Sequence, residues 1–340
     1  MLVRYETWND SRKPDSVTAP NAALCRRTVL ALAGAGMLSA GLPARAAEKP
    51  ILQATTGQVA ELLRAVAGDT ASISSLMGEG IDPHSYKLTR SDTVALMKAD
   101  AVFHSGLFLE GKMAEMLDKL SASRPVHAAA SVLPKDRLIH PDGADGHPDP
   151  HVWMDPTLWR LALLGVRDRL STLYPANEAL YAANAAKAAA EYEALTAYAG
   201  KVLASVPEQR RVLVTAHDAF SYLGRAYGLS VVGIQGISTE SEAGLQRIES
   251  MVSLLVDRKI PAVFIETSVS DRNIQALIQG AGAKGHKVSI GGSLYSDAMG
   301  APGTYEGTYV GMIDHNVTTI AQALGGSVPA RGFQGRLAAR

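Results

Sequence analysis

The chain has 340 residues, of which 47% are hydrophobic and 19% charged, with 33 basic and 33 acidic side chains. That length suits two domains, and that composition belongs to a globular protein, not a disordered one. Balanced charge without a basic stripe argues against nucleic acid as a partner, and there is no acidic tail or long run of like charge.

The first segment, residues 1–47, reads as a signal peptide. Arg26-Arg27 precedes the short apolar run Thr28–Leu38, and Ala44-Arg45-Ala46 supplies a small-residue cleavage pattern. The run is too short and too glycine-rich for a membrane span. The single cysteine, Cys25, lies in this segment and ahead of the apolar run, where a lipid-anchor cysteine would not be placed. The mature chain thus offers no disulfide and no thiolate, so any metal must be held by nitrogen and oxygen. An exported, periplasmic or otherwise extracytoplasmic protein is expected.

Residues 48–173 alternate short apolar runs with helical patterns. Strands are predicted at 51–55, 71–76, 101–104 and 125–128, with helices over 58–66, 91–98 and 110–120 between them. In the last of these helices Met113, Met116, Leu117 and Leu120 form one stripe. This alternation predicts βαβ units and a mostly parallel sheet. Asp155-Pro156 then opens a helix to about Leu173.

Residues 174–206 read as one long linking helix, rich in Ala, Glu, Lys and Leu. About 30 residues at 1.5 Å each would reach roughly 45 Å, enough to run beside two lobes. The alternation resumes over 207–326, with strands at 211–215, 230–234, 262–266 and 287–290 and helices over 219–227, 242–258, 271–283 and 309–324. A loose Arg/Gly/Ala tail, 327–340, is expected to follow. The fold class is therefore α/β: two βα lobes with mostly parallel sheets, joined by one long rigid backbone helix.

Four residues fall where loops should gather at the carboxyl ends of strands, the place where open α/β sheets bind ligands. His217 follows its strand directly. Asp297 follows the 287–290 strand through a glycine-containing loop, His84 follows the second strand through a glycine-rich turn, and His151 lies where the first lobe gives way to helices. Three imidazoles and a carboxylate suit a borderline divalent ion such as Zn²⁺, and the same set takes Mn²⁺ with lower intrinsic affinity. No open coordination position is evident, which fits binding better than catalysis. The ligands stand 67, 66 and 80 positions apart. Such spacing alone does not separate them from ordinary loop residues.

Their contexts do. Asp82-Pro83-His84-Ser85-Tyr86, Asp149-Pro150-His151-Val152-Trp153-Met154-Asp155-Pro156, Thr215-Ala216-His217-Asp218-Ala219-Phe220 and Tyr295-Ser296-Asp297-Ala298-Met299-Gly300 resemble the four ligand segments of the zinc/manganese substrate-binding proteins of ABC transporters. Gly106–Met113 and Gly236–Gly244 match as well, so the resemblance runs through the mature chain in order. It implies one metal ion, Zn²⁺ or Mn²⁺, held between two lobes by His84, His151, His217 and Asp297. It further implies a monomer that delivers the ion to a membrane permease and takes no organic substrate. Many manganese members carry Glu at the third position; His217 places this chain with the three-histidine subgroup. Zinc-uptake members often have a long His-rich loop before the second ligand. Here residues 140–148 are short and hold only His140 and His147, read as solvated. His104, His127, His286 and His315 are read as structural or surface residues.

Two other classes stay open at this stage. A metal-dependent hydrolase could use the same ligands with Glu240, Glu242 or Glu266 as base, although no His-Glu-x-x-His helix or Gly-x-Ser-x-Gly elbow is present. A surface adhesion protein shares only the export signal. For a binding protein, the long helix predicts small motions in place of a wide hinge, with release through movement of one ligand loop such as that of Asp297.

Overall fold

Strands β1 (Ile51–Ala54), β2 (Ser72–Ser75), β3 (Ala101–His104) and β4 (Val126–Ala128) pair in parallel in the order β2-β1-β3-β4. These come from a computed structural model that describes residues 48–141 and 146–338. The predicted signal segment, with Cys25, and the middle of the His140–His147 loop, 142–145, lie outside the described residues.

Parallel neighbours need crossovers, and α1 (Gly57–Ala67), α2 (Arg90–Lys98) and α3 (Ala114–Ser121) supply them. The first two begin where the sequence offers a cap. The Thr56 hydroxyl accepts from the Val59 N–H, and Thr89 and Asp92 form a reciprocal capping box. Helix α3 starts at Ala114 behind a 3-10 turn over Gly111–Met113, later than the expected 110, and Met113, Leu117 and Leu120 of the predicted stripe are buried with Leu96 and Val102 while Met116 is partly buried.

Helix α4 (Pro156–Leu173) starts at an Asp155 cap with proline in its first turn, and α5 (Glu178–Ala204) follows as the 27-residue long helix. Along α5 Tyr181, Ala185, Ala189, Tyr192, Leu195, Ala199 and Val202 are buried, with Leu203 beside the last. They recur every three or four residues, so one face is covered from end to end. That face packs on α1, α4 and α9 (Tyr309–Ala323).

The second half repeats the plan. Strands β5 (Val212–Thr215), β6 (Ser230–Gly233), β7 (Ala262–Glu266) and β8 (Ser289–Leu294) alternate with α6 (Ser221–Tyr227), α7 (Leu245–Asp257) and α8 (Arg272–Ala283). β5 pairs with β6 and β7 with β8, both in parallel, and β5 lies alongside β7. The second half thus holds two two-stranded sheets, set side by side with β5 and β7 in the places that β1 and β3 take in the first. One continuous core takes in the inner faces of both halves together with α1, α4, α5 and α9, and a smaller cluster covers the outer face of each sheet. The halves are therefore joined by shared packing as well as by the long helix.

Three expectations need correction. The last strand does not stop at Ile290 but runs to Leu294. Its register shifts between Val263 and Phe264, so Gly291 is the extra residue of a bulge. A Cβ at Gly292 would strike Thr319 Cγ2 of α9, so the glycines that look like a loop in the sequence are what lets this helix approach the strand. Helix α7 begins at Leu245, not Glu242, because Gly244 takes an extended conformation at its start. The expected loose tail is docked over its described part. Phe333 and Leu337 are buried, the Phe333 N–H donates to Asp314 Oδ1 at 2.8 Å, and Arg336 stacks over Tyr305.

Candidate metal centre

The four predicted ligands converge from four separate segments. His217 sits two residues beyond β5, its carbonyl accepting from Thr215 Oγ1 at 2.7 Å. Gly233 of β6 packs directly on this turn; a Cβ there would lie 2.7 Å from the His217 carbonyl carbon. Asp297 follows β8, its carbonyl accepting from Gln58 Nε2 of α1 at 2.8 Å, while the preceding Ser296 carbonyl accepts from Trp153 Nε1 at 2.9 Å. The second ligand loop is therefore tied to the first half by two hydrogen bonds. His151 enters through the short turn Val152–Met154 that feeds the Asp155 cap of α4. His84 is set by Asp82, whose Oδ1 accepts from the His84 N–H at 2.9 Å.

All three Nε2 atoms point inward. His151 Nε2 is 3.3 Å from that of His84 and 3.4 Å from that of His217. Asp297 Oδ1 lies 3.2 Å from His151 Nε2, and Oδ2 lies 3.2 Å from His217 Nε2 and 3.9 Å from His84 Nε2. A tetrahedral ion with ligand bonds of about 2.0–2.2 Å requires ligand atoms about 3.3–3.6 Å apart, so these spacings are close to those of a coordination shell. His84 is 7% exposed, Asp297 2%, and the other two fully buried.

The chemistry of the donor set is more telling than its spacing. His151 Nδ1 lies 2.8 Å from Asp149 Oδ1, and His217 Nδ1 lies 2.6 Å from Glu266 Oε2. A carboxylate accepts, so each Nδ1 carries the hydrogen and each Nε2 turns a lone pair inward in the neutral ring. Asp297 adds two buried oxygens that have no polar partner outside these ring nitrogens. With the rings neutral, lone pairs thus face lone pairs in a buried space, which a bound cation would satisfy.

Without a cation, protons take that role. Burial opposes charge on His151, but the carboxylates of Asp149 and Asp297 outweigh it and raise the ring to about 9. His217 is raised well above its usual value in the same way, burial being overcome by Glu266 and Asp297. Asp297 is held well below the usual carboxylate range despite its burial, chiefly by His217. His84 goes the other way, to about 4, because burial dominates the attraction of Asp297.

Asp149 and Glu266 are the residues whose role the sequence did not assign. Asp149 stood within the quoted motif, two positions before its histidine. Glu266 reads from the sequence only as a possible base, although its position at the end of a strand marks it as facing the crevice. The remaining histidines lie apart from this centre. His104 faces Glu110, His286 and His315 contact the carbonyls of Ile260 and Ser293, His127 packs on Phe103, and His140 and His147 are exposed. Among the described residues this is the one group of three or more His, Cys, Asp or Glu with converging ligand atoms.

An α/β protein of paired parallel sheets and one long helix, with a buried three-histidine, one-aspartate centre between its halves, has the form of a metal-binding protein. The profile of the ZnuA family, zinc-uptake complex component A, periplasmic, matches residues 53–323. The chain belongs to that family, whose members are binding components of transport and not enzymes. It is 45% identical to the manganese-binding lipoprotein MntA of Bacillus subtilis over 295 residues, 86% of this chain and 95% of that protein. It is 42% identical to the zinc-binding protein TroA of Treponema pallidum over 276 residues, 81% and 89% of the two chains. The solved structure of that periplasmic zinc-binding protein superposes with a TM-score of 0.79, covering 82% of this chain and 99% of the other. The hydrolase alternative falls with the family. The three carboxylates once open as bases are also engaged: Glu266 with His217, Glu240 with Lys112 and Glu242 with Asn273.

Proposed function

We propose that this chain is the extracytoplasmic capture component of a metal ABC transporter. It binds one divalent transition-metal ion, Zn²⁺ or Mn²⁺, through His84, His151, His217 and Asp297, and hands it as a monomer to a membrane permease. The observation that carries this reading is the convergence of three Nε2 atoms on the two buried oxygens of Asp297, which have no other polar partner. Export rests on the signal-like segment 1–47, and delivery on the family and on relatives named for manganese and zinc.

The geometry accommodates both ions. Asp297 can give one oxygen to a tetrahedral zinc ion or both to a larger manganese ion that accepts more ligands. Intrinsic affinity favours zinc, so the cargo in the cell depends on which metal is supplied. Capture exchanges protons for metal: the ion takes each Nε2 while Asp149 and Glu266 keep holding the opposite face of two rings.

The test is metal analysis of the protein exported by its native host, beside His217→Ala. One equivalent of zinc or manganese in the unaltered protein and little in the variant is expected. Equal metal in both would reject this set of ligands.

A further inference from the structure

Resting on that metal-site reading, we infer that Thr239, by its hydrogen bond to Asp82, latches the His84 loop and sets how fast bound metal leaves. The four ligands are not held equally. Asp149 grips the outer nitrogen of His151 and Glu266 that of His217, whereas among the described residues no carboxylate lies on the outer nitrogen of His84. Asp297 is tied at its backbone by Gln58, and its neighbour Ser296 by Trp153. Detaching any of these three disturbs a buried hydrogen-bonded pair or the shared core. His84 is the most exposed of the four and is held mainly from outside, through its loop.

That hold runs through Asp82. Its Oδ1 accepts from the His84 N–H at 2.9 Å, and its Oδ2 accepts from Ser85 Oγ at 2.7 Å and from Thr239 Oγ1 at 2.6 Å. Pro83, between Asp82 and His84, fixes one backbone torsion, so the two residues move together. Thr239 belongs to the other half of the molecule, in the segment between β6 and α7. The next residue, Glu240, forms an ion pair with Lys112 of the first half, so two adjacent side chains fasten one segment across the cleft. Beside the latch lies a cavity of about 130 Å³ lined by Asp82, Gln235, Thr239, Glu242 and Ser268, which gives the loop room to swing without repacking the core. Release therefore begins at His84, and not at the Asp297 loop.

The experiment follows transfer of Zn²⁺ from the loaded mature protein to an excess of chromogenic chelator by stopped flow, with the association rate measured separately. Thr239→Val removes the donor at similar volume, and Thr239→Ser restores it. The valine variant is expected still to take up one zinc but to release it about tenfold faster, the value of a lost hydrogen bond to a charged group. The serine variant should stay within about twofold of the unaltered protein. Lys112→Gln, at a half-exposed ion pair, should act in the same direction by only a few-fold. A valine variant that takes up one zinc and releases it at the unaltered rate overturns the latch while leaving the metal site standing. An unaltered protein that takes up no zinc overturns the site, and the latch with it.

Discussion

In the first half the connections change direction between β1 and β3, and in the second between β5 and β7; the residues set at these equivalent points have opposite fates. In the second half, His217 beyond β5 meets Glu266 at the end of β7, and the carboxylate orients an imidazole that still has a free nitrogen to offer. In the first half, Thr55 beyond β1 meets Glu110 beyond β3. Here Glu110 Oε1 accepts from Thr55 Oγ1 at 2.6 Å and from the Ser105 N–H at 2.7 Å. Burial works against that carboxylate, yet His104 and these donors hold it below its usual range. Both crevices thus contain a buried glutamate. Both glutamates also face an imidazole, and what separates binding from bracing is where that ring leads: His217 turns its other nitrogen into the ligand cluster, whereas His104, Thr55 and Ser105 bring no ligand atom to it. The first half instead carries its ligands on longer, proline-braced loops.

The largest effects should fall on the ligands. Asp297→Ala or His217→Ala removes one of four donors from a site type worth about 10–16 kcal/mol in all, so zinc affinity should fall by roughly 10²–10³-fold in competition titrations. Proton linkage comes next. In the metal-free chain His151, at about 9, and His217, higher than its usual value, are protonated at pH 7, and the metal must displace those protons. Affinity should therefore rise with pH toward 9 and fall below it, by up to about 100-fold per unit if two protons leave together. Calorimetry in buffers of different ionisation enthalpy would count them. The sign reverses for folding. A histidine raised above its unfolded value near 6.5 stabilises the metal-free fold fully below that value, and the contribution is lost as pH rises through about 9. The melting temperature of the metal-free protein should accordingly drop between pH 7 and 9.5 more than that of the loaded protein.

The comparison of the two glutamates is sharpened by changing each. Glu266→Ala should weaken metal binding by about 10–100-fold. Glu110→Ala should leave affinity nearly unchanged and cost about 1–3 kcal/mol of stability, because it strands buried donors. Equal effects on affinity would show that the halves are not used differently after all. The smallest effect is expected at the docked tail, where Phe333→Ala should cost about 2 kcal/mol with no change in affinity.

The halves were not equally legible in the sequence. Period and caps located nearly every element, and the strand Ala262–Glu266 coincides with its expected bounds. The ligands His217 and His151 were visible from a strand end and a helix start. What could not be read depended on distant partners. Glycines 291 and 292 resemble a loop until α9 is packed upon them, and the Arg/Gly tail looks free until Asp314 and Tyr305 receive it. Glu266 lies 49 residues from His217, and only the neighbouring course of β5 and β7 makes them partners.

The central claim is that three Nε2 atoms and Asp297 enclose one ion. X-ray absorption at the zinc edge on the stoichiometrically loaded protein tests it most directly. Three imidazole nitrogens and one or two carboxylate oxygens at about 2.0–2.2 Å are expected, with the imidazole scattering reduced by one ring in His84→Ala. A shell of water oxygens with one imidazole or none, unchanged by that substitution, would contradict it.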